Sequence, residues 1–335
     1  MVYSFFQEET EVEKLMNTFI MTLAIAGSIA GSALAQEPVW DANTIVLKSQ
    51  KLDEGIFAVI PTGAEEMAAK GLPIATTGGF IIGDNGVLVV ESMLNERLNT
   101  QLFDLIAAQT DKPVRYLVNT SFHGDHAWGN QYLPDGVTII QHANTAAYID
   151  SHLEADKAFM LQNFGKGRGI EEVVETGADI LVAQDGGLSI DLGNIIVDIR
   201  DFGFAQTGGD LFVSVPSANV LWTGNPVIAT APALPWLLDG HLVGTRDTLK
   251  AVHDAFDADT KVIPGHGPVT DISAIKWAID YLTEVENKVA ASISEGLSLE
   301  DTIERVQMPN FQGYALFGWV HPGLNVPAAY NDLKK

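Results

Sequence analysis

Two histidines and an aspartate lie within four residues of one another in the segment Asn119–His126, which reads Asn-Thr-Ser-Phe-His-Gly-Asp-His. The segment follows an apolar run, Val114–Val118, whose β-branched and aromatic residues are typical of a buried strand. A single histidine is usually structural, but His123, Asp125 and His126 together offer imidazole nitrogen and carboxylate oxygen, which suit zinc. The sequence therefore predicts a metal site at the end of a strand, where open α/β sheets keep their functional sites.

Four segments in chain order resemble the signature of the metallo-β-lactamase superfamily. Asn119–His126 resembles its His-x-His-x-Asp-His element, and its Pro-Gly-His-Gly element occurs unchanged within Val262–Pro268. Between them, Ala205–Asp210 resembles Ala-His-Thr-x-Gly-Asp, and Trp222–Asn225 resembles Phe-x-Gly-Asp. The resemblance covers roughly residues 45–270. It implies an α/β fold of the family's kind, a four-layer αβ/βα sandwich, and the activity of a metal-dependent hydrolase.

Three ligand positions depart from the family pattern. Ser121 and Gln206 stand where the family has histidines, and Asn225 stands where it has an aspartate that bridges two metal ions. The resemblance implies that the first metal ion would rest on Ser121, His123 and Gln206. Serine and glutamine are neutral, weak oxygen donors, and one imidazole does not hold zinc well. We therefore expect this first site to be empty.

The second family site keeps a complete ligand set. The resemblance implies that Asp125, His126 and His266 hold this ion, and Asn225 could add a carbonyl oxygen but not the charge of a carboxylate. Three protein ligands with an open position define a catalytic zinc site. The prediction is one zinc ion per chain, with iron or manganese as alternatives in an oxygen-rich site.

The predicted chemistry assigns roles to the residues around the ion. We expect His123, which is released from metal binding, to orient or deprotonate water, with Asp125 as the second catalytic residue. Asp210 is predicted to hold a ligand histidine in place from outside the ligand set. Three aromatic residues near the motifs or in the helical segment are predicted to line a substrate pocket; they are Trp128, Trp236 and Phe159. The alternative for Phe159 is that it anchors that segment to the core.

Hydrophobic periodicity predicts the elements that must position these residues. Residues 44–60 and the flanks of Asn85-Gly86 read as antiparallel strands, and leucines at helical spacing predict a helix over residues 94–108. A helical insertion at about residues 143–180 interrupts the pattern, after which strands and helices follow again. We predict one metallo-β-lactamase-like domain over residues 36–270, with C-terminal helices over 271–335 packed on it. His321 is interpreted as a helix-packing residue.

The amino terminus reads as a targeting segment. Phe19–Ala30 is a short apolar run, and Ala33-Leu34-Ala35 fits a small-x-small cleavage site. Residues 1–15 are acidic and suit no signal peptide, so the expected start of translation is Met16. The prediction is a signal peptide within residues 1–35, a mature chain without a stable membrane anchor, and a periplasmic or secreted location. The alternative is an uncleaved anchor.

Composition limits the partners. The net charge of −24 argues against nucleic acid and against anionic membranes, and the absence of cysteine leaves no thiolate ligand for a metal. The expected partner is a small-molecule substrate, with an ester, lactone, thioester or amide to be hydrolysed. The rival hypothesis is a catalytically inactive binding protein that kept the scaffold and lost three ligands. Fold alone does not decide between these functions.

Overall fold

Apolar side chains from two β-sheets interlock at the centre of the molecule. The computed structural model describes residues 44–71 and 75–334, so the predicted signal peptide lies outside the described residues. Leu88 and Val118 of the first sheet pack with Val213, Trp222 and Ile263 of the second, and all five are almost fully buried. Burial of such side chains from water is the main stabilising term of the fold.

The first sheet has seven strands in the order β1 to β7, antiparallel from β1 to β4 and parallel from β4 to β7. These strands are β1 Leu47–Asp53, β2 Ile56–Pro61, β3 Gly78–Gly83, β4 Gly86–Val90, β5 Val114–Val118, β6 Thr138–His142 and β7 Ile180–Val182. The predicted turn at Asn85-Gly86 joins β3 to β4. Parallel pairing places the carboxyl ends of β4 and β5 at the same edge, which matters for the site described below.

The second sheet has six strands in the order β13-β12-β11-β10-β9-β8, and only β11 and β12 run parallel. They are β8 Gly187–Asp191, β9 Ile196–Arg200, β10 Phe212–Val215, β11 Val220–Gly224, β12 Lys261–Pro264 and β13 Thr270–Asp271. The strands β11 and β12 therefore also end at one edge. Backbone and side-chain hydrogen bonds of Thr77, before β3, to the carbonyls of Gly265 and Gly267 join the two sheets there at 2.8 Å each.

Helices cover the outer face of each sheet. They are α1 Ala64–Ala69, α2 Glu96–Ala107, α3 Gly124–Ala127, α4 Ala143–Phe164, α5 Leu242–Ala255, α6 Ser273–Ser294, α7 Leu299–Arg305, α8 Phe317–Trp319 and α9 Val326–Leu333, with a π-helical turn, Val320–Asn325, before α9. Leu98 and Leu102 of α2 pack on the first sheet, and Leu249 and Leu282 pack on the second. The layer order is therefore helix, sheet, sheet, helix. Among the described residues, no helix is long and apolar enough to cross a membrane.

Local sequence signals set several helix boundaries. The side chain of Asn95 accepts a hydrogen bond from the backbone N–H of Leu98 at 3.1 Å and starts α2 at Glu96. The helical insertion begins as α4 directly after β6. Its Leu153, together with Ile170 and Val173 from the following loop, belongs to the core beneath the first sheet. The insertion is thus tied to the domain at both ends.

His321 lies inside the carboxyl-terminal helices, away from the motif residues. Its Nδ1 atom is 2.8 Å from the hydroxyl of Tyr281, and its Nε2 atom is 2.8 Å from the carbonyl oxygen of Val306. The carbonyl only accepts a hydrogen bond, so Nε2 carries the proton and Nδ1 accepts from the tyrosine. Burial lowers the pKa of His321. A packing role is what this geometry supports.

We predict that His321→Gln lowers the free energy of unfolding by about 1–3 kcal/mol at pH 7.5, because buried hydrogen bonds lose a partner. The folded pKa of His321 lies below its ordinary value of about 6.5, so the unfolded chain takes up this proton first and stability falls as pH drops below that value. The deficit of the variant should therefore shrink at pH 5.5. Denaturant unfolding at both pH values measures it, and an equal deficit at both would contradict the assignment.

Candidate metal site

The motif residues meet at the edge where four strands end. Glu91 follows β4, Asn119–His126 follows β5, Asn225 follows β11, and His266 follows β12. The loop with Gln206 leads into β10, which is antiparallel to β11, so it arrives at the same edge. The site is therefore assembled from both sheets, at the carboxyl ends of their parallel strands.

Asp125, His126 and His266 converge on one point. One ligand atom from each lies within 4.8 Å of the others. The Oδ2 atom of Asp125 is 3.6 Å from Nε2 of His126 and 3.5 Å from Nε2 of His266. Ligand atoms about 2.0–2.1 Å from a tetrahedral zinc ion are about 3.4 Å apart. The two distances from Asp125 are thus close to the spacing around a tetrahedral ion.

Buried polar atoms without hydrogen-bond partners surround this point. Among the described residues they include Nε2 of His126 and Oδ1 of Asn225, whose residues are 0% and 5% exposed. A Cβ atom at position 265 would lie 2.1 Å from Oδ1 of Asn225, so Gly265 is what lets the amide sit there. Buried polar atoms are almost always satisfied, so these atoms fit a set that awaits an ion.

Electrostatics couples the three ligand residues. Burial alone would raise the pKa of Asp125, but His126 and His266 lower it to about 2. Burial alone would lower the pKa of His126, but Asp125 and Glu91 raise it to about 9. An imidazole must be neutral to bind a metal, so metal binding would release a proton here.

The residues at the first family site are also brought together, but they form a weak ligand set. Ser121 is 0% exposed and Gln206 is 2% exposed, and neither side chain has a hydrogen-bond partner among the described residues. Burial lowers the pKa of His123 to about 4, so its imidazole is neutral near pH 7. Its ring centroid lies 6.4 Å from that of His126. Two uncharged oxygen donors and one imidazole are a poor site for a divalent cation.

Two residues that the sequence analysis missed support the ligands. Oε1 of Glu91, which is 1% exposed, lies 3.0 Å from Nδ1 of His126, and the hydroxyl of Thr120 donates to it at 2.5 Å. The hydroxyl of Thr76 donates to Oδ2 of Asp125 at 2.5 Å. Glu91 could have been predicted as a site residue, because it is an acidic residue directly after the apolar run of β4. No feature of the sequence around Thr76 indicated its contact with Asp125.

Asp210 does not take the predicted position beside a ligand histidine. Its Oδ2 atom accepts a hydrogen bond from the backbone N–H of Thr207 at 2.6 Å, and its Oδ1 atom has no partner among the described residues. Burial raises the pKa of Asp210 to about 8. The carboxyl group therefore closes the turn that carries Gln206, and the contact to a ligand histidine is made by Glu91.

The aromatic residues are arranged differently from the prediction. The ring of Trp128 is 5% exposed, lies in the core and packs against Gly124, and its pocket role stays a prediction. Trp236 is half-buried and donates to the hydroxyl of Tyr314 at 3.1 Å, and Phe159 is 45% exposed on α4. Pocket roles for Trp236 and Phe159 stay predictions. The ring beside His123 is instead that of Phe122, at 4.6 Å between centroids.

Solved structures share this architecture at low sequence identity, while no protein-family model matches the chain. A metallo-β-lactamase from Pontibacter korlensis is 16% identical, with a TM-score of 0.51 over 71% of this chain and 99% of that one. The DIM-1 metallo-β-lactamase is 16% identical, with a TM-score of 0.54 over 71% of this chain and 98% of that one.

The inverting sec-alkylsulfatase Pisa1 from Pseudomonas sp. is 14% identical, with a TM-score of 0.64 over 85% of this chain and 50% of that one, so this chain spans half its length. These similarities show the fold. The chain has the metallo-β-lactamase fold, and the predicted αβ/βα sandwich is confirmed.

We predict that Glu91→Gln weakens zinc binding about 10- to 100-fold, because a group that orients a ligand histidine is lost. Asp210→Asn is the control, since it replaces a buried acid at this edge, which its raised pKa already keeps mostly neutral near pH 7, and Asp210 touches no ligand in the structure. Its zinc affinity should stay within a few-fold of the unmutated value. Competition titration against a chromogenic chelator measures both variants, and equal losses would contradict the assignment of Glu91.

Proposed function

We propose that this chain is a metal-dependent hydrolase that uses one metal ion, held by Asp125, His126 and His266. The observation that carries the proposal is the convergence of three ligand atoms within 4.8 Å. The neutral residues Ser121 and Gln206 at the other family site support a count of one. Zinc is the ion that two imidazoles and one carboxylate suit best, and iron and manganese are the alternatives.

The structural neighbours support hydrolysis of a small molecule, because two are named metallo-β-lactamases and one an alkylsulfatase. We propose an ester, lactone, thioester or amide as the substrate of this chain. When bound, the metal ion supplies a Lewis acid that polarises the substrate carbonyl and lowers the pKa of water.

His123 supplies the base. In the proposed step the oxygen of a water molecule forms a bond to the carbonyl carbon of the substrate, and one water proton passes to Nε2 of His123. The bond from that carbon to the leaving group then breaks, and the leaving group takes the proton from His123. Asp125 contributes by holding the ion, and Glu91 by fixing the ring of His126, which is a positioning role.

A second candidate function is a catalytically inactive binding protein on the same scaffold. The changes at Ser121, Gln206 and Asn225 favour it, since they remove two imidazoles and one carboxylate from the family's ligand set. The same fold would then hold a small molecule in the space around His123 without hydrolysing it. The metal content of the purified protein separates the two candidates.

We predict one zinc ion per chain by elemental analysis after equilibration with zinc and removal of free metal. Asp125→Ala and His266→Ala should each reduce the content to near zero, because two ligands do not hold the ion tightly. Gln206→Ala should keep its ion, because a neutral amide adds little. Two ions per chain would contradict the argument from ligand charge, and no ion in the unmutated protein would favour the inactive binding protein.

We also propose that the chain is exported and cleaved after Ala35, based on the apolar run and the small-x-small site before Gln36. The mature chain would be periplasmic or secreted, with no stable membrane anchor. N-terminal sequencing of the protein from its native host should begin at Gln36. A mature protein that retains residues 16–35 would contradict the proposal.

A further inference from the structure

A small group of unsatisfied polar side chains lies beside the proposed metal ligands. Ser121 is fully buried and Gln206 is 2% exposed. The hydroxyl of Ser121, both amide atoms of Gln206 and the buried Nε2 atom of His123 have no hydrogen-bond partner within 3.5 Å among the described residues, although the Gln206 amide lies near enough to His123 to oppose the lowering of the histidine pKa by burial. Together they offer both donors and acceptors. Buried groups of this kind normally share an ordered water molecule, which makes two to four hydrogen bonds.

The backbone keeps these side chains close to one another. The N–H of Leu211 donates to the carbonyl of Thr120 at 2.8 Å, which joins the loop before β10 to the motif after β5. On the other side of that loop, the hydroxyl of Thr245 donates to the carbonyl of Ala205. The backbone carbonyls of Thr120 and Ala205, the residues directly before Ser121 and Gln206, are therefore both held by hydrogen bonds.

The charge of the group favours a neutral ligand over a cation. Ser121 and Gln206 carry no charge, and Asn225 replaces the carboxylate that bridges two ions in the family pattern. A second divalent cation would find no ligand charge here to compensate for the free-energy cost of losing its hydration shell. A water molecule meets no such cost, because it exchanges hydrogen bonds in bulk water for hydrogen bonds to three side chains.

We propose that an ordered water molecule occupies the place of the first metal ion, held by Ser121, Gln206 and His123. Ser121 and Gln206 donate hydrogen bonds to the water oxygen, and the water donates one to Nε2 of His123. This arrangement aims the water proton at the base. The water is then the nucleophile of the hydrolysis proposed above, on which this role rests, and Ser121 and Gln206 are its positioning residues.

Crystal structures of the zinc-loaded full chain and of the Ser121→Ala and Gln206→Met variants, at about 1.5 Å, test the water site. The unmutated protein should show a water molecule within about 3.2 Å of all three side chains. The variants should lose or displace it while their zinc content stays at the unmutated value. An anomalous zinc peak at this position would overturn the proposal, as would direct hydrogen bonds among the three side chains with no solvent between them.

Kinetics test the positioning role, with p-nitrophenyl acetate and γ-butyrolactone as probes. Ser121→Ala and Gln206→Met should each lower kcat about 10- to 100-fold, the cost of a misplaced reactant, with KM changed less than about threefold. Ser292→Ala is the matched control, because its buried hydroxyl donates to the carbonyl of Lys288 at 3.0 Å within α6, outside the site. Its kcat should not change.

The two proposals fail in different ways. An unchanged kcat in Ser121→Ala would overturn the positioning role while leaving the hydrolase intact. An ordered water at the three side chains in a protein that binds zinc but hydrolyses neither probe would support the water site and count against the hydrolase. Changing Ser121→His, Gln206→His and Asn225→Asp together should replace the water by a second zinc ion, since two imidazoles and one carboxylate then supply the missing ligands and the missing charge.

Discussion

The buried carboxylate of Asp125 is the interaction on which the rest of the site depends. Its Oδ2 atom lies within 3.6 Å of the Nε2 atoms of His126 and His266, and it accepts a hydrogen bond from the hydroxyl of Thr76. A charged carboxylate is expensive to bury unless other groups compensate it. His126 after β5, His266 after β12 and Thr76 before β3 supply that compensation. The two sheets are aligned so that these groups meet, and the apolar core between the sheets stabilises that alignment.

A second buried acid extends this arrangement. Glu91 lies on the far side of His126 from Asp125, so the imidazole ring is held between two carboxylates. In the absence of metal, a protonated ring balances part of their charge, as the raised pKa of His126 indicates. A divalent cation would balance more of it. The same residues thus give a stable apo structure and a strong attraction for a cation.

The sequence predicted the sandwich and the grouping of Asp125, His126 and His266, because motifs at strand ends in chain order define both. It did not predict Thr76 or Glu91, whose contacts arise from the packing of segments far apart in the chain. It predicted that Asp210 lies beside a ligand histidine, but the carboxyl group accepts a hydrogen bond from the backbone N–H of Thr207 in a local turn. The short helix after His123 turns the ring of Trp128 inwards against Gly124, a contact that its distance from the motif did not predict. Such errors concern side-chain direction, which residue type and spacing do not fix.

The hydrogen bonds of Thr77 to Gly265 and Gly267 have a mechanical consequence. They form the seam where the edge of the first sheet meets that of the second, directly beside His266. A metal ion bound to Asp125 and His266 would cross-link the two halves of the sandwich at the same seam, since one ligand belongs to each half. The interlocked apolar side chains hold the halves together elsewhere, and without the ion this edge depends on hydrogen bonds such as these. The apo protein is therefore expected to open first at this edge, by local unfolding that begins where the site is built.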